Sequence, residues 1–535
     1  MTRLILPLAL LAALSFAQST PRSSISGVIR DGDGNPLADS RVVARGPGRS
    51  ETASNASGEY ELKDLAAGRY NIFASFQPPA FARRIVTLAP GQDLTDVDVQ
   101  IEQSADVRGR VLDDNGEPMP GVQVYLIGTE YRHGRLRHTY RGVSPTDDRG
   151  EYSMAGRARP GVRYAVMAKV RPGAIRAVSE APLEIEARRP AFPTTFFPNS
   201  PDLAGAERLV LRSGEVREGV DIAMRRSQSY CISGLLQLGG APAALTFSLT
   251  ELQPSSGMHT EGGFFSMTPR VETGADGLFR LCDLARGEYY LMAHSRGPDL
   301  AGIGSAEIVV VDHDVNDLTI SVLPFAELPG DVVWAGEAPK EAPSREVRID
   351  VRPVYRASFQ AERAGATTTI PGEFLCGGLA PDPLEISVRN LDDDWYVADI
   401  EYGGKSIVNG VLRVGEARQG SRLRITIGRD AGEIEVAVKD EDGGPEPNST
   451  VYVLPESAVN EAELAQMMTK GSPDQLGLYR SGALRPGAYR VVAVRAKLDL
   501  SPESIHRLWV ARRDGVEIGV QPESRETIDV EITPL

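Results

Sequence analysis

Residues 25–36 read ISGVIRDGDGNP and residues 58–70 read GEYELKDLAAGRY. In the first stretch Ile25, Gly27 and Ile29 fall on one face of an extended chain. The Asp, Gly, Asn and Pro that follow are turn formers, so the stretch reads as a β-strand entering a hairpin turn. In the second, Leu65 anchors a loop in a core and Gly68 permits a tight turn. Tyr70 then opens the next strand with an amphipathic ring.

Both stretches recur. The first returns as Val107–Val111 with Gly109 at its centre before DDNGEP, and as Ile232–Leu236 with Gly234 before LGGAP. It returns again as Leu328–Val332 with Gly330 before AGEAP, and as Ile434–Val438 before DEDGGPEP, where Val436 replaces the glycine. The second returns as Gly150, Tyr152, Ala158, Gly161 and Tyr164; as Gly277, Phe279, Leu284, Gly287 and Tyr289; and as Gly477, Tyr479, Leu484, Gly487 and Tyr489. A fourth copy keeps Gly372, Phe374 and Leu379 but has Asp382 and Leu384 in place of the last two anchors. The two anchors stand 31, 41, 43, 42 and 41 residues apart. Each copy ends in an alternating run: GQDLTDVDVQI, GEVREGVDIAM, VNDLTISVL, GSRLRITI and SRETIDVEI. Such runs read as a last strand with one buried face. The spacing predicts repeats over 23–103, 104–226 (with a long insertion), 227–324, 325–428 (divergent) and 429–535. Each is long enough for its own core. The expected class is all-β, a tandem array of about five immunoglobulin- or transthyretin-like β-sandwich domains. Two short helices are expected in the last repeat, one capped by Asn460 and one opened by Ser501 and Pro502.

The pattern resembles the carboxypeptidase regulatory-like domain, of the transthyretin-like, carbohydrate-binding-like β-sandwich group. Gly27, Gly34, Pro36, Gly58, Tyr60, Leu65, Gly68 and Tyr70 carry the resemblance, as do Gly116, Pro118 and the Pro120-Gly121-Val122 run in the second copy. The array, with WYVADIEYGG at 395–404, resembles multi-repeat secreted acidobacterial proteins. The resemblance implies a non-catalytic accessory module, since the family's zinc carboxypeptidase and outer-membrane barrel companions have no counterpart here.

The residues before the first repeat read MTRLILPLALLAALSFA. Basic Arg3, an apolar run and the small residues Ser15 and Ala17 fit a signal peptide over 1–17. The expectation is an exported protein of the periplasm, outer surface or extracellular space, with no transmembrane segment after cleavage. The formal charge is −15, from 58 basic and 73 acidic residues. That sign argues against nucleic acid as a partner, because phosphate contacts need a basic surplus. Gly (54) and Pro (37) are frequent because they sit at fixed turn positions in each copy. Of three cysteines, Cys231 and Cys282 fall in one repeat and are the candidate disulfide pair, the alternative being buried free thiols. Cys376 is left over and expected to be buried.

None of the six histidines has Glu three residues on, as a zinc carboxypeptidase site needs. His259 and Glu261 could share a strand face or be solvated loop residues. Asp31, Asp33 and Asn35 offer oxygens to calcium, but Pro36 and Val42 stand where a calcium loop needs Gly and Glu, and an Asx turn competes. No catalytic residue, metal or cofactor is expected. Two loops stand out for binding. The stretch YRHGRLRHTYR at 131–141 sets Arg132, Arg135 and Arg137 among Tyr131 and Tyr140. It reads either as an anion-binding loop or as a solvated hairpin. The stretch at 191–203 carries Phe192, Phe196 and Phe197, which either stack on sugar rings, pin the loop to its own sandwich or pack between repeats. The leading expectation is therefore an exported, non-catalytic β-sandwich protein that binds a ligand, a glycan or a cell-envelope protein, or scaffolds at the envelope. A structural stalk is the first alternative, and a metallopeptidase or glycosidase with an unrecognised site is the second.

Overall fold

The computed structural model describes residues 22–76, 80–132, 135–170, 190–252, 271–295, 302–337, 346–353, 364–379, 384–392, 394–408, 410, 412–413, 420–495 and 498–535. Among the described residues, five large hydrophobic cores span Ile25–Ile101, Ala105–Met224, Tyr230–Val322, Leu328–Ile427 and Ile434–Val530, and three smaller clusters lie outside them. Four of the large cores lie between two sheets, and in repeat 3 one eight-stranded sheet, joined where Gly302–Val310 pairs with Val315–Pro324, supplies both sides, so the chain is a tandem array of β-sandwiches.

One pattern builds every front sheet. The opening strand, which carries the first motif, lies in the middle. The strand after the second glycine pairs with it antiparallel on one side, and the closing run pairs with it parallel on the other. In the first repeat Ser23–Arg30 lies between Glu59–Leu65 and the short pieces Asp93–Leu94 and Val99–Gln100. In the last, Glu433–Lys439 lies between Leu478–Arg480 and Arg525–Glu531. The back sheet of the first repeat runs Arg49–Ala53, Arg41–Arg45, Gly68–Phe76, Ala80–Leu88, all antiparallel. The tyrosine that opens the third of these strands is fully buried at Tyr70 and Tyr164. In the third and fifth repeats its hydroxyl donates to the carbonyl four residues upstream, Tyr289 to Ala285 at 2.6 Å and Tyr489 to Arg485 at 2.7 Å. That bond fixes the corner at which the chain changes sheet.

The glycine of the first motif is explained by the closing strand. In repeats 1 to 3 this strand bulges at a residue with left-handed backbone: Asp96 (φ 63°), Gly219 (φ 74°) and Asp317 (φ 59°). The next carbonyls, of Val97, Val220 and Leu318, then point straight at Gly27, Gly109 and Gly234, where a Cβ would collide with them. The aromatic of the second motif completes the arrangement. Tyr60 donates to the Val97 carbonyl at 2.7 Å and Tyr152 to the Val220 carbonyl at 2.6 Å, so a buried acceptor that has left its ladder is satisfied. In repeat 5 the parallel ladder runs unbroken from Glu433 to Lys439, and Val436 fits without a clash.

The second glycine has a different cause. Gly58, Gly150, Gly277 and Gly477 all have φ near +70° (75°, 70°, 68° and 74°), in a turn whose Asn55, Asp147 and Asp474 accept backbone N–H bonds in three of the four copies. The fourth repeat departs from the pattern as its sequence does. Its Tyr396–Tyr402 strand pairs with the closing strand Leu423–Gly428, giving a five-stranded front sheet and a three-stranded back sheet.

The last repeat adds α1 (Glu461–Met467) and α2 (Pro502–Ala511). Asn460 caps α1 by accepting from the Glu463 N–H, and Ser501 caps α2 by accepting from the Ser504 N–H. A disulfide joins Cys231 to Cys282 across the front sheet of repeat 3, and Cys376 is a buried free thiol. The chain divides into two compact units, Met1–Ile101 and Glu102–Leu535.

Gly109→Ala is expected to lower the stability of repeat 2 by about 1–3 kcal/mol, because the added methyl must push back the Val220 carbonyl and loosen its bond to Tyr152. Hydrogen exchange resolved to Asp106–Leu112 checks this; unchanged protection there would remove the close-approach explanation.

Candidate functional site

The basic stretch at 131–141 forms the end of a long hairpin in repeat 2, Gln123–Arg132 paired with Arg135–Pro145. Its aromatics are engaged within the protein. The Tyr131 N–H donates to the Leu500 carbonyl of repeat 5 at 2.6 Å, and the half-buried ring packs against the cluster that lines α1 and α2. Burial, with Glu461 nearby, raises the Tyr131 phenol above its ordinary pKa. Tyr140 lies against Tyr125 with ring centroids 5.0 Å apart, and burial likewise raises its phenol. Arg141 bonds Glu130 at 2.8 Å, and His138 is buried with Nδ1 2.8 Å from Thr129 Oγ1. In the hairpin ladder Arg132 pairs with Arg135 and Arg137 with Glu130. The side chains of Arg132, Arg135 and Arg137 lie outside the described atoms.

The loop at 191–203 is pinned to its own sandwich. Phe196 is fully buried against Tyr125, Ile127 and Met167 on the outer face of the back sheet. Phe192 and Phe197 pack on the other core of repeat 2, with Arg226 6.0 Å above the Phe192 ring. The sugar-stacking expectation is therefore corrected for Phe196, whose ring has no free face. The reason is apolar burial: covering a large aromatic stabilises the protein by more than leaving it in water.

Other parts of repeats 2 to 5 also interlock. Lys169 of repeat 2 and Glu251 of repeat 3 pair at 2.9 Å, with side chains only 10% and 15% exposed, and Thr194 Oγ1 donates to the same carboxylate at 2.9 Å. Arg485 of repeat 5 donates to the Val397 and Ala398 carbonyls of repeat 4 at 2.7 and 2.9 Å. Arg163 reaches Glu503, 340 residues away, at 3.3 Å. A stalk of independent modules does not fit residues 102–535.

The acidic turns are occupied by their own backbone. Asp31 Oδ1 accepts from the Asp33 and Asn35 N–H groups at 3.0 and 2.8 Å, and Asp440 does the same with Asp442 and Gly444 at 3.0 and 2.7 Å. Asp113 repeats the arrangement. The Glu117 N–H holds its carboxyl below the usual range against the opposing effect of burial, helped by the Asn115 N–H and by Arg226. Among the described residues no three His, Cys, Asp or Glu side chains are placed to hold a metal. His133, His259 and Glu261 lie outside the described residues, as does the signal-like segment 1–17. A groove of about 670 Å³ in repeat 2 runs between Arg108, Arg110, Glu151, Glu218 and Asp221. Its arginines are tied up: Arg110 bonds Glu151 at 2.8 Å, and Arg108 pairs with Asp106 at 3.2 Å.

The arrangement of the first repeat decides what it is similar to. Residues 24–102 match the carboxypeptidase regulatory-like domain. No curated protein matches the chain. Among solved structures, a streptococcal ancillary pilin aligns with 57% of this chain and 99% of its own at 11% identity, with a TM-score of 0.20. The Bacillus anthracis TIE protein aligns with 97% of this chain and 69% of its own at 10% identity, with a TM-score of 0.15. BcpA, the major pilin subunit of Bacillus cereus, aligns with 56% and 99% at 12% identity, with a TM-score of 0.15. Among the described residues of this chain, no helix is long and apolar enough to cross a membrane.

Two outcomes follow from this geometry. Burial beside Asp350 pushes the Cys376 thiol up to about 11, so the reactive thiolate is scarce at pH 8. Iodoacetamide at pH 8 should leave the folded thiol unmodified and alkylate it in denaturant; rapid alkylation of the folded protein would contradict the burial. Tyr131→Ala should speed hydrogen exchange in α1 and α2 while leaving the repeat 1 strands unchanged. Equal protection in both proteins would mean the hairpin does not hold repeat 5.

Proposed function

We propose that this protein is an exported, non-catalytic scaffold, in which sandwich repeats brace one another and present recognition surfaces to a ligand, a glycan or a cell-envelope protein. The observation that carries this reading is the seating of the repeat 2 hairpin on the helices of repeat 5 through Tyr131. A loop whose aromatics and basic charge suit it for a ligand has its aromatics in structural contacts instead. The motif residues are committed in the same way. Tyr60, Tyr152, Tyr289 and Tyr489 bond backbone carbonyls, and Asp31, Asp113 and Asp440 bond backbone amides. The basic start and apolar run of residues 1–17 support export.

The test uses the purified full chain in three assays: metal analysis, a broad peptidase and glycosidase screen, and retention on envelope fractions from cells. The expected result is no stoichiometric zinc, no turnover and saturable retention. Bound zinc at one per chain, or turnover with any substrate class, would overturn the reading.

A further inference from the structure

The outer face of the back sheet differs sharply between the first repeat and repeats 2, 3 and 5. In repeats 2, 3 and 5 this face is apolar and covered by the chain itself. Phe196, Leu203 and Ala206 cover it in repeat 2, Leu464, Ile505 and Leu508 in repeat 5, and Phe325 packs on it in repeat 3. Three residues after the buried tyrosine, Met167, Met292 and Val492 are 2%, 6% and 0% exposed. The equivalent residue in the first repeat is Phe73, which is half-buried, and the strands around it are strongly basic.

The ladder fixes the layout. Core-facing Val42, Ala44, Tyr70, Ile72, Ala74 and Val86 alternate with the outward set. One outward row reads Glu51, Val43, Phe73, Arg83 across the four strands, and the row beside it reads Arg49, Arg45, Asn71, Ile85. Arg41, with Phe81 in its row, extends the face on one side, and Arg69 extends it on the other. Five arginines thus meet one glutamate, in a chain whose net charge is −15. Glu51 already accepts from Arg41 at 2.7 Å and Arg49 at 3.0 Å, which holds its carboxyl down at about 2. Arg45 and Arg83 lie 5.5 and 6.0 Å from the Phe73 ring centre. Arg45 and Arg49 face each other directly, a placement that costs stability. Phe81 is 69% exposed.

We infer that this face is a docking surface for an acidic protein partner. Three observations select that occupant. The sign of the charge requires an anion. The composition, arginine with aromatic and β-branched residues and no lysine, is that of protein interfaces, where Arg and aromatics are enriched and Lys is depleted. The same face in three sibling repeats is covered by polypeptide. The inference rests on the scaffold reading and names its partner class.

The full chain is compared with Arg45→Glu/Arg69→Glu, and with Arg225→Glu/Arg513→Glu as a control carrying the same charge change on other exposed residues. The probe is a fluorescein-labelled peptide of alternating Glu and Ser with interspersed Phe, read by anisotropy; polygalacturonate, neutral dextran and anionic vesicles are measured alongside. Expected is peptide binding that weakens with salt, falls at least about tenfold in the repeat 1 variant and is unchanged in the control. An unaltered melting curve for the variant confirms that it is folded. Binding of polygalacturonate or vesicles in preference to the peptide would overturn the inference, as would equal peptide binding by both variants or no peptide binding at all. Such a result with envelope retention intact leaves the scaffold reading standing, whereas zinc or turnover would remove that reading on its own.

Discussion

The closing strand of each repeat lies parallel to its opening strand in the middle of the front sheet, and the rest of the sandwich is arranged around that pairing. A parallel neighbour cannot be reached by a short hairpin, so the whole back sheet has to be made between the two strands. In repeats 1 to 3 the closing strand also bulges and presents a bare carbonyl to its partner. Glycine on the opening strand makes room for it, and in repeats 1 and 2 a tyrosine two residues after the second glycine satisfies it. The two motifs, 31 to 43 residues apart in sequence, are thus two halves of one contact.

This explains what could be read beforehand. The sandwich class and both helix caps were legible because turns, caps and two-residue alternation are local. The replacement of glycine by Val436 is visible in the sequence, but its cause, a closing strand without a bulge, is not. The loss of the Gly and Tyr anchors at Asp382 and Leu384 accompanies the transfer of a strand from one sheet to the other, which no local pattern encodes. The aromatic loops were visible as unusual composition, but not their destination. Whether Tyr131 meets solvent or α2 depends on the packing of repeats more than 300 residues apart in the chain, and sequence alternation carries no such information.

The back sheet is where the repeats become individual. Its inner face is nearly constant, with Tyr70, Tyr164, Tyr289 and Tyr489 opening the same strand. Its outer face varies: it carries a phenylalanine-bearing loop in repeat 2, a linker residue in repeat 3, a pair of helices in repeat 5, and in the first repeat a field of arginine. One surface therefore serves both internal bracing and outward presentation, and a few substitutions separate the two uses.

The parallel pairing also sets how a repeat carries force. Parallel neighbours start at the same end, so the chain enters a sandwich at one end of the front sheet and leaves at the other. Tension on the two ends of a repeat then pulls its first and last strands past each other along their length. In repeat 5 the ladder between Glu433–Lys439 and Arg525–Glu531 would have to slip as a unit, with its bonds sharing the load, whereas in repeats 1 and 2 the same ladder is broken into two short pieces. Resistance to stretching is therefore graded along the chain by the bulge that the opening glycine accommodates.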